Sequence, residues 1–271
     1  MTVDQLTDAA EMLERITPRG TWCSLRVVRN IEESYSVRDD VLLPPSNSED
    51  SGAMVTVVDG AGLGLAATSD LTMGGLYQAA RVAQQWARAT GTQGVTDFSK
   101  APRPQKSGHW THAIAQPWQD VSKRQIIDRI RAACDNMKTD DRIVQRTASV
   151  RRVRTETTIV TSDGIRIEQS HDRVIPWMQV VATDGEDVQK RTNGGRSDAQ
   201  LGGYEVLDRT GFDDLPASIA ADTIETLLSP ICPTGVMDAV IGPAQMVLQV
   251  HESIGHALEL DRILGDERNY A

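Results

Sequence analysis

Residues 142–192 read RIVQRTASVRRVRTETTIVTSDGIRIEQSHDRVIPWMQVVATDGEDVQKRT. Polar and apolar residues alternate along most of this stretch, a period of two that is typical of strands with one buried face. Turn-forming residues interrupt the alternation at Ser162–Asp163–Gly164 and at Asp184–Gly185. The stretch therefore predicts an antiparallel sheet built from consecutive hairpins.

Helices and further strands are predicted before and after this stretch of the sequence. Apolar residues at helical spacing predict helices over residues 3–16, 73–89, 122–137 and 215–228. Two more extended segments are predicted at residues 22–37 and 53–58, separated by a polar loop with the sequence LLPPSNSEDSG. This order of elements is typical of an α+β fold.

Three glycines, Gly60, Gly62 and Gly64, could be mistaken for a dinucleotide-binding loop. Their spacing does not match that fingerprint, and LAATSD follows before any helix can start. A tight hairpin that returns into a second strand is the better interpretation.

The chain is acidic, because 38 Asp and Glu residues outnumber 28 Lys and Arg residues and give a formal charge of −10. Binding to a phosphate backbone needs clustered cations. We therefore expect no nucleic-acid partner, and direct modulation of a DNA enzyme finds no support in this composition. The one basic stretch, residues 142–154, alternates with valines and small residues as a half-exposed strand does.

The sequence has neither an apolar leader segment nor an apolar run of about eighteen residues. We therefore expect no membrane partner. Cys23, Cys134 and Cys232 are far apart and outside any CxxC pair, which fits a reducing cytoplasm. Each is expected to be a buried free thiol.

Near the end of the chain, residues 251–256 read HESIGH. Two of the five histidines thus flank Glu252, in an apolar stretch whose helix is expected to start at Pro243 after a short strand over residues 237–242. Buried imidazoles need partners, and imidazole is the commonest metal ligand. The pattern favours a metal centre with His251 and His256 as ligands over two histidines that merely meet at a helix interface.

The five-residue spacing sets a geometric condition on this centre. On an ideal α-helix the two rings would point about 140° apart, so both can bind one ion only if the helix widens into a π-type turn or breaks. Gly255 suits such a distortion. We expect both imidazoles to bind Zn²⁺ and Glu252 to take a proton from the bound water. Glu259 and Asp261 are candidates to orient the imidazoles, although an exposed helix end explains them equally well.

The segment HESIGHALELDRILG, residues 251–265, resembles the signature of the TldD/PmbA family of metallopeptidases, in which HExxxH precedes a short acidic segment. GAGLGLAATSDLT, residues 60–72, is similar to the family's glycine-containing hairpin with its AxTxDL ending. The TSDG turn at residues 161–164, with IEQ after it, resembles the family's central sheet. Of these motifs only the histidine motif is highly specific.

The resemblance implies a cytoplasmic zinc peptidase that is a homodimer or a heterodimer of a motif-bearing TldD-type subunit with a PmbA-type subunit that lacks the motif. This chain matches the motif-bearing type, so His251 and His256 would bind zinc and Glu252 would be catalytic. The implied substrates are extended or unfolded polypeptides and modified-peptide precursors, which pair with a strand edge.

One departure from the family concerns the third zinc ligand. Family members continue well past the motif and take a cysteine ligand from that part, whereas this sequence has neither Cys nor His after His256. Three explanations are open, in this order: an N-terminal fragment, half of a split enzyme completed by a second polypeptide, or substitution by Cys232 or an acid.

The sequence thus predicts antiparallel sheets flanked by helices, with the motif on a locally distorted C-terminal helix. Residues 1–230 are expected to form an N-terminal α+β domain of the TldD/PmbA type, and residues 231–271 the start of a metallopeptidase domain whose remainder is absent. The predicted function is that of a zinc-dependent peptidase subunit. The alternative is a catalytically incomplete interaction subunit that needs a second polypeptide, such as a C-terminal-half subunit.

Overall fold

The computed structural model describes residues 9–94 and 96–265. Within these ranges the strands are β1 (Trp22–Arg38), β2 (Val41–Leu42), β3 (Ser46–Asp59), β4 (Gly62–Thr68), β5 (Gly108–Thr111), β6 (Ile143–Thr161), β7 (Arg166–Thr183), β8 (Val188–Gly194) and β9 (Gln200–Leu201). The α-helices are α1 (Ala9–Ile16), α2 (Met73–Gln93), α3 (Lys123–Asn136), α4 (Val206–Arg209), α5 (Leu215–Leu228), α6 (Pro243–Val250) and α7 (Leu260–Leu264).

All these strands belong to one sheet with the main order β4-β3-β1-β6-β7-β5. Neighbours are antiparallel except β5, which runs parallel to β7. β2 pairs with β1, while β8 and β9 pair with β7. The predicted α+β class, the hairpins and the turns at residues 162–164 and 184–185 are confirmed.

The predicted helices form close to their expected limits. α1 ends at Ile16 as predicted, and the predicted residues 3–8 lie outside the described residues. Ser122 and Gln125 form a reciprocal capping box that starts α3, and α5 has its predicted bounds. α2 runs to Gln93 rather than ending at residue 89. Among the described residues, no helix has the length and apolar character needed to cross a bilayer.

One face of the sheet carries two separate hydrophobic cores. Leu25 and Val27 of β1 pack with α1 and α2 in one cluster, whereas Tyr35 and Val37 pack with α3 and α5 in the other. Alternate residues of a strand point to the same face, and β1 pairs with β6 without a register shift. Both helical layers therefore lie on the same side of the long strands.

Between the two cores this face holds buried charge. Asp172 of β7 accepts a hydrogen bond from Nε of Arg152 at 2.6 Å and one from Nη1 of Arg154 at 3.1 Å, both from β6. Arg152 also donates to Glu33 of β1 at 3.0 Å. If one member of these buried ion pairs moved away, it would leave an uncompensated charge. The pairs therefore fix how β1, β6 and β7 are aligned.

The basic stretch at residues 142–154 lies almost entirely within β6, as predicted. Every arginine in it forms an ion pair: Arg142 with Asp140, Arg146 with Asp40, Arg151 with Glu32, and Arg152 and Arg154 with Asp172. The positive charge of this stretch is therefore matched by carboxylates of the same chain.

The polar segment before residue 53 is a strand, so the predicted loop is wrong over this part. β3 begins at Ser46, and residues 46–50 pair with residues 30–34 of β1. All five of these β3 residues are exposed. A strand with no buried face has no alternation of polar and apolar residues, which is why the sequence pattern did not indicate it.

The predicted apolar strand at residues 237–242 is also wrong. These residues have no regular structure, and Val240 is fully exposed. A strand needs a partner to satisfy its backbone groups, and within the described part of the chain none pairs with this segment.

The glycine run forms the β3–β4 hairpin, with Gly60 at a positive φ of 60° in its turn. Gly62 and Gly64 let α2 pack directly on the backbone of β4. A Cβ at Gly62 would lie 1.8 Å from the carbonyl oxygen of Ala87, and one at Gly64 would lie 1.9 Å from that of Ala83. The glycines therefore serve close helix packing, which confirms the hairpin over a phosphate-binding loop.

We predict that Gly64→Ala lowers the free energy of unfolding by about 1–3 kcal/mol, because the added methyl group meets a helix carbonyl that cannot rotate away. Urea unfolding followed by tryptophan fluorescence measures the change. Gly108→Ala in the exposed strand β5 is the matched control, since a Cβ there meets nothing within 4 Å. Equal stability of the two variants would contradict this packing.

The cysteines divide into two classes. Cys23 and Cys134 are buried, as expected, but Cys232 is exposed, so the prediction of a third buried thiol is wrong. Cys232 lies in the irregular segment after α5, which contributes nothing to either core. Burial raises the pKa of the Cys23 thiol to about 11 and also raises the pKa of Cys134.

Alkylation of the folded chain with iodoacetamide near pH 8 should therefore modify Cys232 alone. The thiolate is the reactive form, and the two buried thiols are both inaccessible and protonated at that pH. Peptide mass spectrometry before and after denaturation gives the result. Fast labelling of Cys23 in the folded chain would show that its cluster opens.

Candidate metal centre

The C-terminal helix distorts at the position that the motif spacing predicts. α6 begins with Pro243, whose fixed φ suits the first helical position, and residues 251–255 then form a π-turn. The N–H of His256 donates to the carbonyl of His251, five residues earlier, instead of the usual four. The predicted local distortion is confirmed.

This π-turn brings the two imidazoles together, with ring centroids 4.5 Å apart and planes at 77°. One ligand atom each from His251, Glu252 and His256 lies within 4.8 Å of the others, the one such group found within residues 9–94 and 96–265. Zinc binds imidazole nitrogens and carboxylate oxygens at about 2.0–2.2 Å. Two imidazoles with a carboxylate beside them are ligand types that zinc prefers, so the residues fit zinc.

Glu252 lies beside this pair of rings with an accessible carboxylate. Its Oε2 is 3.8 Å from Nε2 of His256, and the Glu252 side chain is 47% exposed. A carboxylate that reaches both the imidazoles and solvent can accept a proton from a water molecule between them.

The two acids after the motif have different positions. Glu259 lies at the centre, because Nδ1 of His256 donates a hydrogen bond to its Oε1 over 3.0 Å. Asp261 instead accepts a hydrogen bond from the backbone N–H of Arg262 at 2.9 Å, within α7. The structure therefore brings the first of the two predicted orienting acids to an imidazole.

The centre is one protein ligand short of the usual catalytic arrangement. Catalytic zinc sites commonly have three protein ligands and an open position. If Glu252 acts as a base, the described group supplies only the two imidazoles. Cys232 is exposed and does not belong to this group.

Apolar side chains around the centre face solvent. From residue 231 to residue 264 the exposed large hydrophobic residues are Ile231, Val236, Met237, Val240, Ile241, Val247, Leu248, Val250, Ile254, Leu258, Leu260, Ile263 and Leu264. Large apolar side chains that are exposed close together commonly mark a binding surface.

The other histidines lie at the sheet, away from this motif. His109 is exposed in β5, 3.6 Å from Glu168. His171 of β7 pairs with Thr155 of β6. Burial and the nearby charge of Arg173 lower its pKa.

Two domains of one family match the chain. The PmbA/TldA metallopeptidase domain 1 matches residues 23–87, and the PmbA/TldA metallopeptidase central domain matches residues 116–229. These ranges cover the glycine hairpin and most residues of the two cores, and the HESIGH motif follows them in the sequence. The chain belongs to the TldD/PmbA family and corresponds to its N-terminal part.

Similar proteins support the same assignment. A metalloprotease of Methanothermobacter thermautotrophicus is 31% identical over 124 residues, which are 46% of this chain and 27% of the relative. A metalloprotease of Methanocaldococcus jannaschii is 26% identical over 132 residues, 48% of this chain and 28% of the relative. The matched stretches thus span little more than a quarter of these relatives.

A solved structure from Thermotoga maritima, described as a candidate modulator of a DNA gyrase, has the same fold. Its TM-score is 0.63 at 13% identity, and the match covers 86% of this chain and 50% of that one. At this identity the likeness concerns the fold alone.

The backbone conformation of Gly255 and the space around it would also allow alanine at this position. Its φ of −59° and ψ of −55° are ordinary right-handed values, and an added Cβ would lie 3.7 Å from the carbonyl oxygen of Val250. Gly255 is compatible with the turn, as expected, but the observed backbone does not require glycine there. Gly255→Ala should leave zinc affinity unchanged in a competition assay with a chromophoric chelator.

His256→Ala is the contrasting variant in this assay, because it removes a ligand and should abolish binding. A large loss of zinc affinity in Gly255→Ala would show that the turn needs a backbone conformation other than the one observed.

Proposed function

We propose that this chain is the motif-bearing subunit of a zinc-dependent peptidase that acts on extended or unfolded polypeptides or modified-peptide precursors. The observation that carries the proposal is the π-turn, which gathers two imidazoles and a glutamate within 4.8 Å of one another. Membership of a metallopeptidase family and the metalloprotease names of two relatives support the same reaction class.

Each residue of the candidate centre has a distinct proposed role. His251 and His256 would hold the ion, and Nδ1 of His256 is held by Glu259. When bound, zinc would polarise a peptide carbonyl and acidify water at the site. Glu252 takes a proton from the attacking water and delivers it to the departing amine, which an accessible carboxylate beside the imidazoles can do.

The accessible side of the centre suits a polypeptide substrate. His251 is exposed and Glu252 is half-exposed, and the adjoining apolar residues are exposed as well. An unfolded chain offers both apolar side chains and free peptide groups to such a surface. This supports peptide hydrolysis over the cleavage of a small polar substrate.

A second candidate function is that of a subunit that is catalytically incomplete alone. The exposed apolar residues between 231 and 264 favour it, and so does a metal-binding group that, within the described residues, holds only two imidazoles besides Glu252. The partner would be a second copy, a PmbA-type subunit or a subunit equivalent to the C-terminal half of the solved relatives. Such a partner would cover the apolar surface and supply a ligand to the ion.

Replacement of the proposed base tests the mechanism. Glu252→Gln should slow zinc-dependent cleavage of a denatured fluorescent casein by about 10²–10⁴-fold, because the amide cannot accept the proton. Zinc content should not change, since both imidazoles are intact. Glu225→Gln, an exposed glutamate of α5, is the matched control and should retain full activity.

Activity is measured for the full chain alone and with the product of the neighbouring gene. Cleavage by the chain alone that Glu252→Gln does not reduce would refute the mechanism. Cleavage that needs the second polypeptide, and is still abolished by Glu252→Gln, would identify the chain as the incomplete subunit.

A further inference from the structure

Arg262 differs from the residues around it in how it is packed. Its side chain is only 15% exposed, whereas Leu258, Leu260 and Ile263 are each more than 60% exposed. Burial of a charged guanidinium is costly unless the charge is paired, so its burial where leucines face solvent indicates specific partners.

One partner is Glu259, which links Arg262 to the candidate metal centre. Nε of Arg262 lies 3.1 Å from Oε2 of Glu259, and Oε1 of the same carboxylate lies 3.0 Å from Nδ1 of His256. The two oxygens of one carboxylate thus contact two different side chains. Rotation of Glu259 away from the imidazole would break its ion pair with Arg262.

We propose that Arg262 is a positioning residue that fixes the ring orientation and tautomer of His256 by holding Glu259 in place. This inference rests on the proposed function, because it assigns a purpose to one of the proposed zinc ligands. With Glu259 held, Nδ1 carries the hydrogen and Nε2 keeps its lone pair. Nε2 is the nitrogen that faces Glu252, at 3.8 Å.

The backbone between these residues supports the arrangement. Glu259 is the N-cap of α7, and its carbonyl accepts hydrogen bonds from the N–H groups of Arg262 and Ile263. Residues three apart on a helix lie on the same face, which places the Arg262 side chain against Glu259. The first turn of α7 therefore sets the distance between the guanidinium and the carboxylate.

A positioning role for Arg262 has different measurable effects from a merely structural role. A structural role would affect stability, whereas a positioning role affects the state of one imidazole in the folded, zinc-free chain. Groups that orient a ligand imidazole typically change metal affinity by about 10–100-fold when they are removed.

The test compares Arg262→Met with Arg262→Lys in the full chain. Arg124→Met, an arginine of α3 whose side chain is 90% exposed, is the matched control. Zinc affinity is measured by competition with a chromophoric chelator, and circular dichroism verifies folding. We expect the affinity of Arg262→Met to fall by about tenfold or more, that of Arg262→Lys to be largely retained, and that of Arg124→Met to be unchanged.

A second readout does not depend on zinc. With ¹⁵N-histidine labelling near pH 8, where imidazole is neutral, long-range ¹⁵N–¹H spectra report which ring nitrogen carries hydrogen. The chain has only five histidines, and His256→Ala assigns the signal. We expect the Nδ1–H tautomer in the unaltered chain and a mixture of tautomers in Arg262→Met.

These outcomes distinguish the two proposals. If the unaltered chain shows no His256-dependent zinc binding, the proposed metal centre fails, and the tautomer spectra still test Arg262. If zinc binds but Arg262→Met keeps both the original affinity and the single tautomer, the positioning role is refuted while the metal centre stands.

Discussion

The continuous pairing of β1, β6 and β7 is the constraint on which the rest of the described structure depends. These strands have 17, 19 and 18 residues, about three times the usual strand length. One end of the same face can therefore carry the core under α1 and α2, and the other end the core under α3 and α5. A slip of one residue would turn both sets of apolar side chains to the opposite face and separate Asp172 from its arginines.

The parts of the fold that were predictable from sequence are those in which burial imposes a period. The hairpins of residues 143–192 and helices α3 and α5 follow directly from spacing and capping residues. The start of β3 and the segment at 237–242 were not predictable in this way. The first is a strand whose residues are all exposed there, and the second is an apolar stretch without a partner strand within the described residues. In both segments the structure depends on whether another strand is available to pair with, and this is decided by residues far away in the sequence.

In the candidate metal centre, too, some features were predictable from the sequence and others were not. A spacing of five between His251 and His256 is enough to predict a widened turn, because ideal helix geometry leaves no other way for both rings to meet. Gly255 suits this turn, but its right-handed backbone shows that other residues would suit it as well. Arg262 was missed altogether, although a basic residue three positions after Glu259 is a detectable signal for an ion pair on a helix face. What spacing could not show is that this arginine is packed inward.

The geometry of the centre is set by nearby residues, whereas the apolar side chains around the motif are not covered by the described part of the chain. Every contact described for the centre joins residues within 251–262. In this stretch the π-turn is followed by a 3₁₀ turn over His256–Leu258 and then by α7, so the shape of the centre is set by local structure. The surrounding apolar side chains face solvent, and each large one would contribute about 1.5–3 kcal/mol if it were buried. A surface that covers them would therefore act mainly by excluding water and adding a ligand. Because the carboxylate of Glu259 already contacts two side chains, such a surface need not reshape the imidazole pair.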